Sequence, residues 1–299
     1  MIEARGLVKR YGPTIAVDHL SFDVRPGTVT GFLGPNGAGK TTTMRLLCGL
    51  DRPDAGTATI DGHPYARLTQ PGRRVGVMLD PGAMHRGRTG RETLALAALV
   101  LGVGRERVAR VLELVGLDAA AAAKRVGEYS LGMQQRLALG VALLGDPGIL
   151  VLDEPANGLD PQGIRWLRDF LRAMAAEGRT VLVSSHVLAE VAQTVDDVVV
   201  IHRGRLVQQG PVQSLTAAGA GVLVRTPRPD VLRTALDRAG LTAVEAPDGA
   251  LVVDGGEAAQ VGEIAFAAGV PLHELAPRST SLEEAFLALT TDAPPEVGP

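Results

Sequence analysis

The chain has 299 residues, with 30 Lys and Arg against 33 Asp and Glu, a formal net charge of −3, and 45% hydrophobic residues. That balance suits a packed globular protein of about two domains at ~150 residues each and argues against disorder. It provides no bulk positive charge for gripping nucleic acid, so no nucleic-acid partner is expected.

One cysteine, Cys48, excludes an intramolecular disulfide framework and points to a reducing compartment. Mean hydropathy is high at +0.15, much of it from alanine runs such as Ala119 to Ala123. A bilayer-spanning helix needs about 20 consecutive apolar residues. The best run, Leu94 to Val103, is half that length and stops at Gly104-Arg105-Glu106. Met1-Ile2-Glu3-Ala4-Arg5 lacks a charged-then-apolar export pattern. The chain is therefore expected in the cytoplasm, reaching a membrane only through a partner.

In chain order, residues 2–35 read as short β segments. Leu20, Phe22 and Val24 alternate with polar residues, and Pro26-Gly27 turns the chain. Val29 to Leu33 reads as a strand feeding a glycine-rich loop, and Thr41 to Leu50 as the helix after it. Helices are expected at Glu92 to Leu101, Glu106 to Val115 and Leu131 to Leu144. Ile149 to Leu152 and Thr180 to Ser184 are runs suited to strands buried on both faces. Gly163 to Glu177 between them reads as a crossover helix, which implies a parallel sheet. Val198 to His202 and Arg205 to Gln208 flank Arg203-Gly204, a hairpin signal.

Composition shifts near 215, and Ala217 to Gly221 reads as a linker. The expected remainder is a small α+β domain, 216–291. It comprises a strand at Val222 to Arg225, a helix at Val231 to Gly240, two more strands and a helix near 257–268. A strand at Val270 to Leu275 and a helix at Leu282 to Leu289 complete it. Residues 292–299, with Pro294-Pro295, read as a disordered tail.

Gly34-Pro35-Asn36-Gly37-Ala38-Gly39-Lys40-Thr41 fits G-x-x-x-x-G-K-[ST], with a strand before it and a helix after it. Glycines let the backbone curl so that successive N–H groups point at phosphate oxygens, and the helix N-terminus adds partial positive charge. Lys40 would neutralise β/γ-phosphate charge and the Thr41 hydroxyl would ligate Mg²⁺; Thr42 closes the phosphate-binding set. Ile149-Leu150-Val151-Leu152-Asp153-Glu154 places two carboxylates at a strand's carboxyl end, where ligands bind in parallel sheets. Asp153 would hold Mg²⁺, and Glu154 would take a proton from the water that attacks the γ-phosphate.

With these motifs in this order, the chain resembles the nucleotide-binding subunit of ATP-binding-cassette (ABC) transporters over roughly residues 2–215. The resemblance implies an α/β fold, a P-loop NTPase cassette. It would have a mixed sheet core, an antiparallel β subdomain and a helical subdomain at about 83–145, followed by the small C-terminal α+β domain. It further implies that Tyr11 stacks on adenine, with Val17 either flanking the same ring or lying in the core. Tyr129-Ser130-Leu131-Gly132-Met133 is similar to the family's L-S-G-G-Q signature, with Leu131 and Met133 as departures. Ser130 and Gly132 would then begin a helix facing the ATP held by a second copy, although a plain serine helix cap fits the same residues. Ala156-Asn157-Gly158-Leu159-Asp160-Pro161 resembles the family's D-loop, placing Asp160 at the dimer seam, and His186 matches its switch histidine. Asp80 stands where the family usually has glutamine. It would either sense nucleotide and Mg²⁺ with altered dependence or cap a turn.

The variant signature and the tail Ser279 to Thr290 are similar to ATPase subunits of ABC-2-type exporters, including drug and antibiotic self-resistance systems. The resemblance thus implies an ATPase that works as a homodimer or paired cassette on ATP and Mg²⁺. It would drive a separate permease from the inner face of the membrane. An importer subunit or a soluble ABC ATPase are the alternatives.

Overall fold

The computed structural model describes residues 1–187, 193–217, 221–246 and 248–278. The chain divides into two compact units, Met1–Pro211 and Val212–Pro299.

The first unit opens with β1 (Ile2–Tyr11), β2 (Thr14–Val24), β3 (Val29–Leu33), α1 (Lys40–Leu47) and β4 (Ala55–Ile60). It continues through α2 (Pro71–Arg74), β5 (Val75–Met78), α3 (Gly90–Leu101), α4 (Arg105–Leu114), α5 (Ala119–Ala123) and α6 (Leu131–Leu143). Then come β6 (Ile149–Leu152), α7 (Pro161–Ala176), β7 (Thr180–Ser185), β8 (Asp197–His202) and β9 (Arg205–Pro211).

Two sheets result. β2-β1-β4 is antiparallel, and the second sheet runs β5-β6-β7-β3-β8-β9, parallel except for β9. All four residues of β6 and all five of β3 are buried, which explains their unbroken apolar spelling. The Phe22 ring of β2 lies 5.1 Å from the Phe32 ring of β3, so the two sheets share one core. Val17, Leu20, Met44 and Leu47 fill that core. The hairpin turn between β8 and β9 has Arg203 and Gly204 at φ 49° and 79°, both left-handed as a two-residue type I′ turn requires.

The helical part is locally well signalled. Thr89 and Glu92 form a reciprocal capping box at the head of α3, and Gly102 ends it at φ 64°. On α6, Gly140 lets Val111 and Leu94 approach closely: a Cβ there would sit 3.2 Å from Val111 Cγ1.

In the second unit, α8 (Val212–Ala217) precedes β10 (Gly221–Arg225), α9 (Pro229–Arg238), β11 (Thr242–Glu245) and β12 (Leu251–Asp254). α10 (Ala258–Ala267) and β13 (Glu274–Arg278) follow. The antiparallel order β11-β12-β10-β13 makes a split β-α-β arrangement, with Val222, Val224, Leu232, Leu236 and Val261 in its own core.

Four expectations are corrected. The helix expected at Thr41 to Leu50 stops at Leu47, because Gly49 turns left-handed at φ 65°. β4 was not foreseen: three of its six residues are exposed, so it carries no clean alternation. Ala217 ends a helix and Gly221 already pairs with Asp254, so these ends of the expected linker are regular structure. The strand expected at Val270 to Leu275 begins at Glu274 instead. Val270 is buried because it closes α10: Gly269 turns at φ 67° and the Val270 N–H bonds the Ala265 carbonyl. The helix expected at Leu282 to Leu289 and the tail at 292–299 lie outside the described residues.

Candidate functional site

Strand order assembles the site. β7 lies between β6 and β3, and all three run parallel. The register pairs Leu152 with Val183 and Leu33 with Ser185. Asp153-Glu154, Ser184-Ser185-His186 and the glycine loop therefore leave the same sheet edge side by side. This is the carboxyl edge, where open parallel sheets bind ligands.

The loop from Gly34 to Gly39 is built for close backbone approach. A Cβ on Gly34 would lie 2.6 Å from the Ile201 carbonyl oxygen. Gly39 sits at φ 102° with the Ala16 carbonyl against it, a position closed to any larger residue. Ala38 is buried, Pro35 is half-buried, and Asn36 and Gly37 are exposed at the loop tip. Gly39 leads directly into α1, and no side chain caps that helix start. The first-turn N–H groups of Lys40, Thr41 and Thr42 thus have no side-chain competitor for an anion.

Six of the expected residues meet through hydrogen bonds and one ion pair. The buried Lys40 ammonium donates to the Gly34 carbonyl at 2.7 Å and lies 3.4 Å from Glu154 Oε1. Glu154 Oε2 is 2.8 Å from His186 Nδ1. Thr41 Oγ1 donates to Asp153 Oδ2 at 2.6 Å. Glu154 holds a left-handed backbone, φ 48°, unusual for a side chain of its size and common where function over-determines geometry.

Ser184 was not foreseen. Its hydroxyl donates to Asp153 Oδ1 and accepts the Glu154 N–H at 2.8 Å, bracing both carboxylate residues. The one sequence signal was a pair of serines ending a buried apolar strand.

Hard oxygen donors, a hydroxyl and a carboxylate, fit Mg²⁺ at Thr41 and Asp153. Among the described residues no three His, Cys, Asp or Glu converge as a metal cage. A magnesium ion here would take its remaining ligands from phosphate and water, as such ions usually do. Asp80 follows β5 on the same sheet edge, but its Oδ1 accepts the Gly82 N–H at 2.8 Å and caps the turn Pro81–Ala83.

Ser130, Gly132 and Asp160 form a second cluster. They line one cleft with Arg136, Gly158 and Leu159. The exposed Ser130 caps α6 by accepting the Met133 N–H at 3.2 Å, and the exposed Asp160 caps α7 by accepting the Gly163 N–H at 2.7 Å. Gly132 faces the Gly158 carbonyl oxygen, so the two segments touch. Among the described residues no hydrogen bond or ion pair joins this cluster to Lys40, Thr41 or Glu154.

Tyr11 stands apart from both clusters. The residue is 48% exposed and its hydroxyl donates to Asp51 Oδ2 at 2.7 Å. That bond raises the Tyr11 hydroxyl pKa, while Arg45 and then Tyr11 hold the Asp51 carboxyl down at about 2. Val17 is fully buried in the core, so it supports the loop and presents no surface to a ligand. The expectation that it flanks a base is corrected accordingly.

The ABC transporter family profile matches residues 17–157. A family described only as a domain of unknown function matches 220–283. The chain is 42% identical over 218 residues to the bacitracin transport ATP-binding protein BcrA of Bacillus licheniformis, covering 72% of this chain and 71% of that one. It is 40% identical over 243 residues to Nod factor export ATP-binding protein I of Burkholderia orbicola, covering 79% and 80%. A solved ATP-binding subunit of an ABC transporter superposes with a TM-score of 0.66 at 27% identity, over 73% of this chain and 92% of that one. A dimeric ATP-binding cassette bound to ADP and Pi shares the fold at a TM-score of 0.65 and 21% identity, over 71% and 99%.

Proposed function

Because the chain belongs to the family of ABC transporter ATP-binding proteins, we propose that it is the ATP-hydrolysing subunit of an exporter. Two copies close on two ATP·Mg²⁺, and the closing and opening drive a separate membrane permease. The name of one relative, Nod factor export, supports the outward direction, and another relative is named for bacitracin transport. The cargo class, a drug, antibiotic or lipid-like molecule, is part of the proposal. No helix of the described residues is long and apolar enough to cross a membrane, and in this proposal a separate permease supplies the transport path.

One observation carries the reading: Lys40 and His186 each meet a carboxylate oxygen of Glu154, with Thr41 and Asp153 hydrogen-bonded beside them. Backbone N–H groups of Gly37 to Thr42 and the Lys40 ammonium bind the β- and γ-phosphates. Thr41 and Asp153 would hold Mg²⁺, which would supply charge neutralisation at the phosphates. Glu154 takes the proton of the attacking water through its carboxylate, and His186, bonded to that carboxylate, orients the pair. The products are ADP and phosphate. Ser130 and the Gly132 N–H of the other copy close over the γ-phosphate as a second helix terminus. When the γ-phosphate leaves, those contacts go with it and the dimer opens, a shift set by differential affinity.

The test is Glu154→Gln in the full chain. ATP turnover should fall at least about 100-fold, the usual scale for losing a general base, while ATP holds two copies together on size exclusion. An unchanged phosphate-release rate would overturn the proposal.

A further inference from the structure

The network around Tyr11 belongs to neither cluster, and nothing in the hydrolysis chemistry uses it. Asp51 accepts the Tyr11 hydroxyl at 2.7 Å, and the same carboxylate receives Arg45 through two guanidinium nitrogens, at 2.7 and 3.2 Å. Lys9 Nζ lies over the Tyr11 ring, 5.4 Å from its centroid, within cation–π range. Lys9 is itself fixed, donating to the Arg52 carbonyl at 2.7 Å. The Arg10 N–H bonds Asp54 at 2.6 Å and the Asp54 N–H bonds the Val8 carbonyl at 2.8 Å, so the turn 51–54 is zipped to the end of β1. The ring is thus held at its rim, covered on one face by a cation, and half exposed.

Arg45 lies on α1, five residues after Lys40. At 1.5 Å per residue the two are about 7.5 Å apart along one rigid rod. Exposed ion pairs such as Arg45–Asp51 add little stability. What this pair supplies is geometry: it ties the aromatic ring to the helix whose first turn meets the phosphates.

We infer that Asp51, held by Arg45, is a positioning residue for the nucleobase, fixing Tyr11 as a one-faced stacking platform at a set span from the phosphate cradle. Lys9 closes the other face. The inference rests on the reading that Tyr11 stacks on adenine. Its energetic logic is preorganisation: a ring ordered before the ligand arrives loses no freedom on binding.

The experiment is calorimetric titration of the full chain, in Mg²⁺, with ATP and separately with inorganic tripolyphosphate, which has no base. Tyr11→Phe keeps the ring and removes the bond to Asp51. It and Asp51→Ala should each weaken ATP about fivefold, the scale of one hydrogen bond. The double variant should lose no more than either single one. Tripolyphosphate affinity should stay within twofold throughout, and Asp51→Asn, which keeps an acceptor oxygen, should restore most of the loss. Equal weakening of both ligands by Asp51→Ala would assign Asp51 a general structural role and overturn the inference, as would full additivity in the double variant. Tyr11→Ala separates the two claims. If it leaves ATP affinity intact, the base-stacking reading itself fails. If it weakens ATP while Tyr11→Phe and Asp51→Ala do not, only the positioning role falls.

Discussion

Two helices in the first unit begin at places where a phosphate could bind, and they begin in opposite ways. α1 starts from Gly39, in a left-handed backbone with no side chain to cap it. α6 starts from Ser130, whose hydroxyl already accepts the Met133 N–H. The first helix leaves its terminal N–H groups for an outside anion and adds Lys40. The second satisfies itself and stands exposed in a shallow cleft. A helix terminus that must grip its ligand alone forgoes its own cap. In the proposed dimer, the terminus that completes the other copy's site keeps its cap and is stable by itself.

The sharpest way to break this comparison is Gly39→Ala. The new methyl would meet the Ala16 carbonyl oxygen in a backbone conformation that L residues avoid. ATP binding by calorimetry should weaken at least about 100-fold, the several kcal/mol expected where strain and overlap coincide. Normal binding by this variant would remove the special status of the α1 start.

A smaller effect tests the other side. Ser130→Ala removes the cap of α6 and should cost about 1 kcal/mol. That corresponds to a fall of about 2–4 °C in the melting midpoint of a unit this size. Ser130→Gly should cost only a few tenths of a kcal/mol. ATP affinity of a single copy should hold in both variants, while turnover of the dimer drops. If ATP affinity of the single copy fell with Ser130, the two helix starts would not be divided between copies.

The smallest effect lies at the far end of α1. Asp51 has its carboxyl pulled down to about 2 from an ordinary value near 3.8, chiefly by Arg45. A depressed carboxyl stabilises the fold above its unfolded pKa and loses that contribution as pH falls through the folded value. Acid unfolding between about pH 4 and pH 2 should therefore be less steep in Asp51→Asn than in the parent chain. Identical acid titrations followed by circular dichroism would show that the pair contributes nothing.

Much of this arrangement was legible in the residues. The unbroken apolar strands β3, β6 and β7 announce a sheet buried on both faces, and the glycine loop with its lysine sits between a strand and a helix as its chemistry demands. Where reading failed, the deciding contact was distant in sequence or hidden in a cap. Ser184 matters because β7 is inserted between β6 and β3, an order that residue spacing does not encode. Asp51 meets Tyr11 across 40 residues, after a helix and its turn have folded back. Val270 looked like strand because it is apolar and buried, but a helix end buries it. Val17 lies in β2 two residues from the exposed Ile15 and His19, and only the packing of the two sheets decides which way it faces.

Gly158 has a further meaning for timing. Any side chain there would collide with Leu131, so the segment leaving Glu154 and the head of α6 are interlocked. In the proposed dimer, three residues separate Glu154, the proton acceptor of one reaction centre, from Gly158, which lies against the surface lent to the second copy. In that dimer a displacement at either place would press on the other. A pair of such chains should fire as a coupled engine, with ATP-concentration curves steeper than a simple hyperbola, and never as two clocks ticking alone.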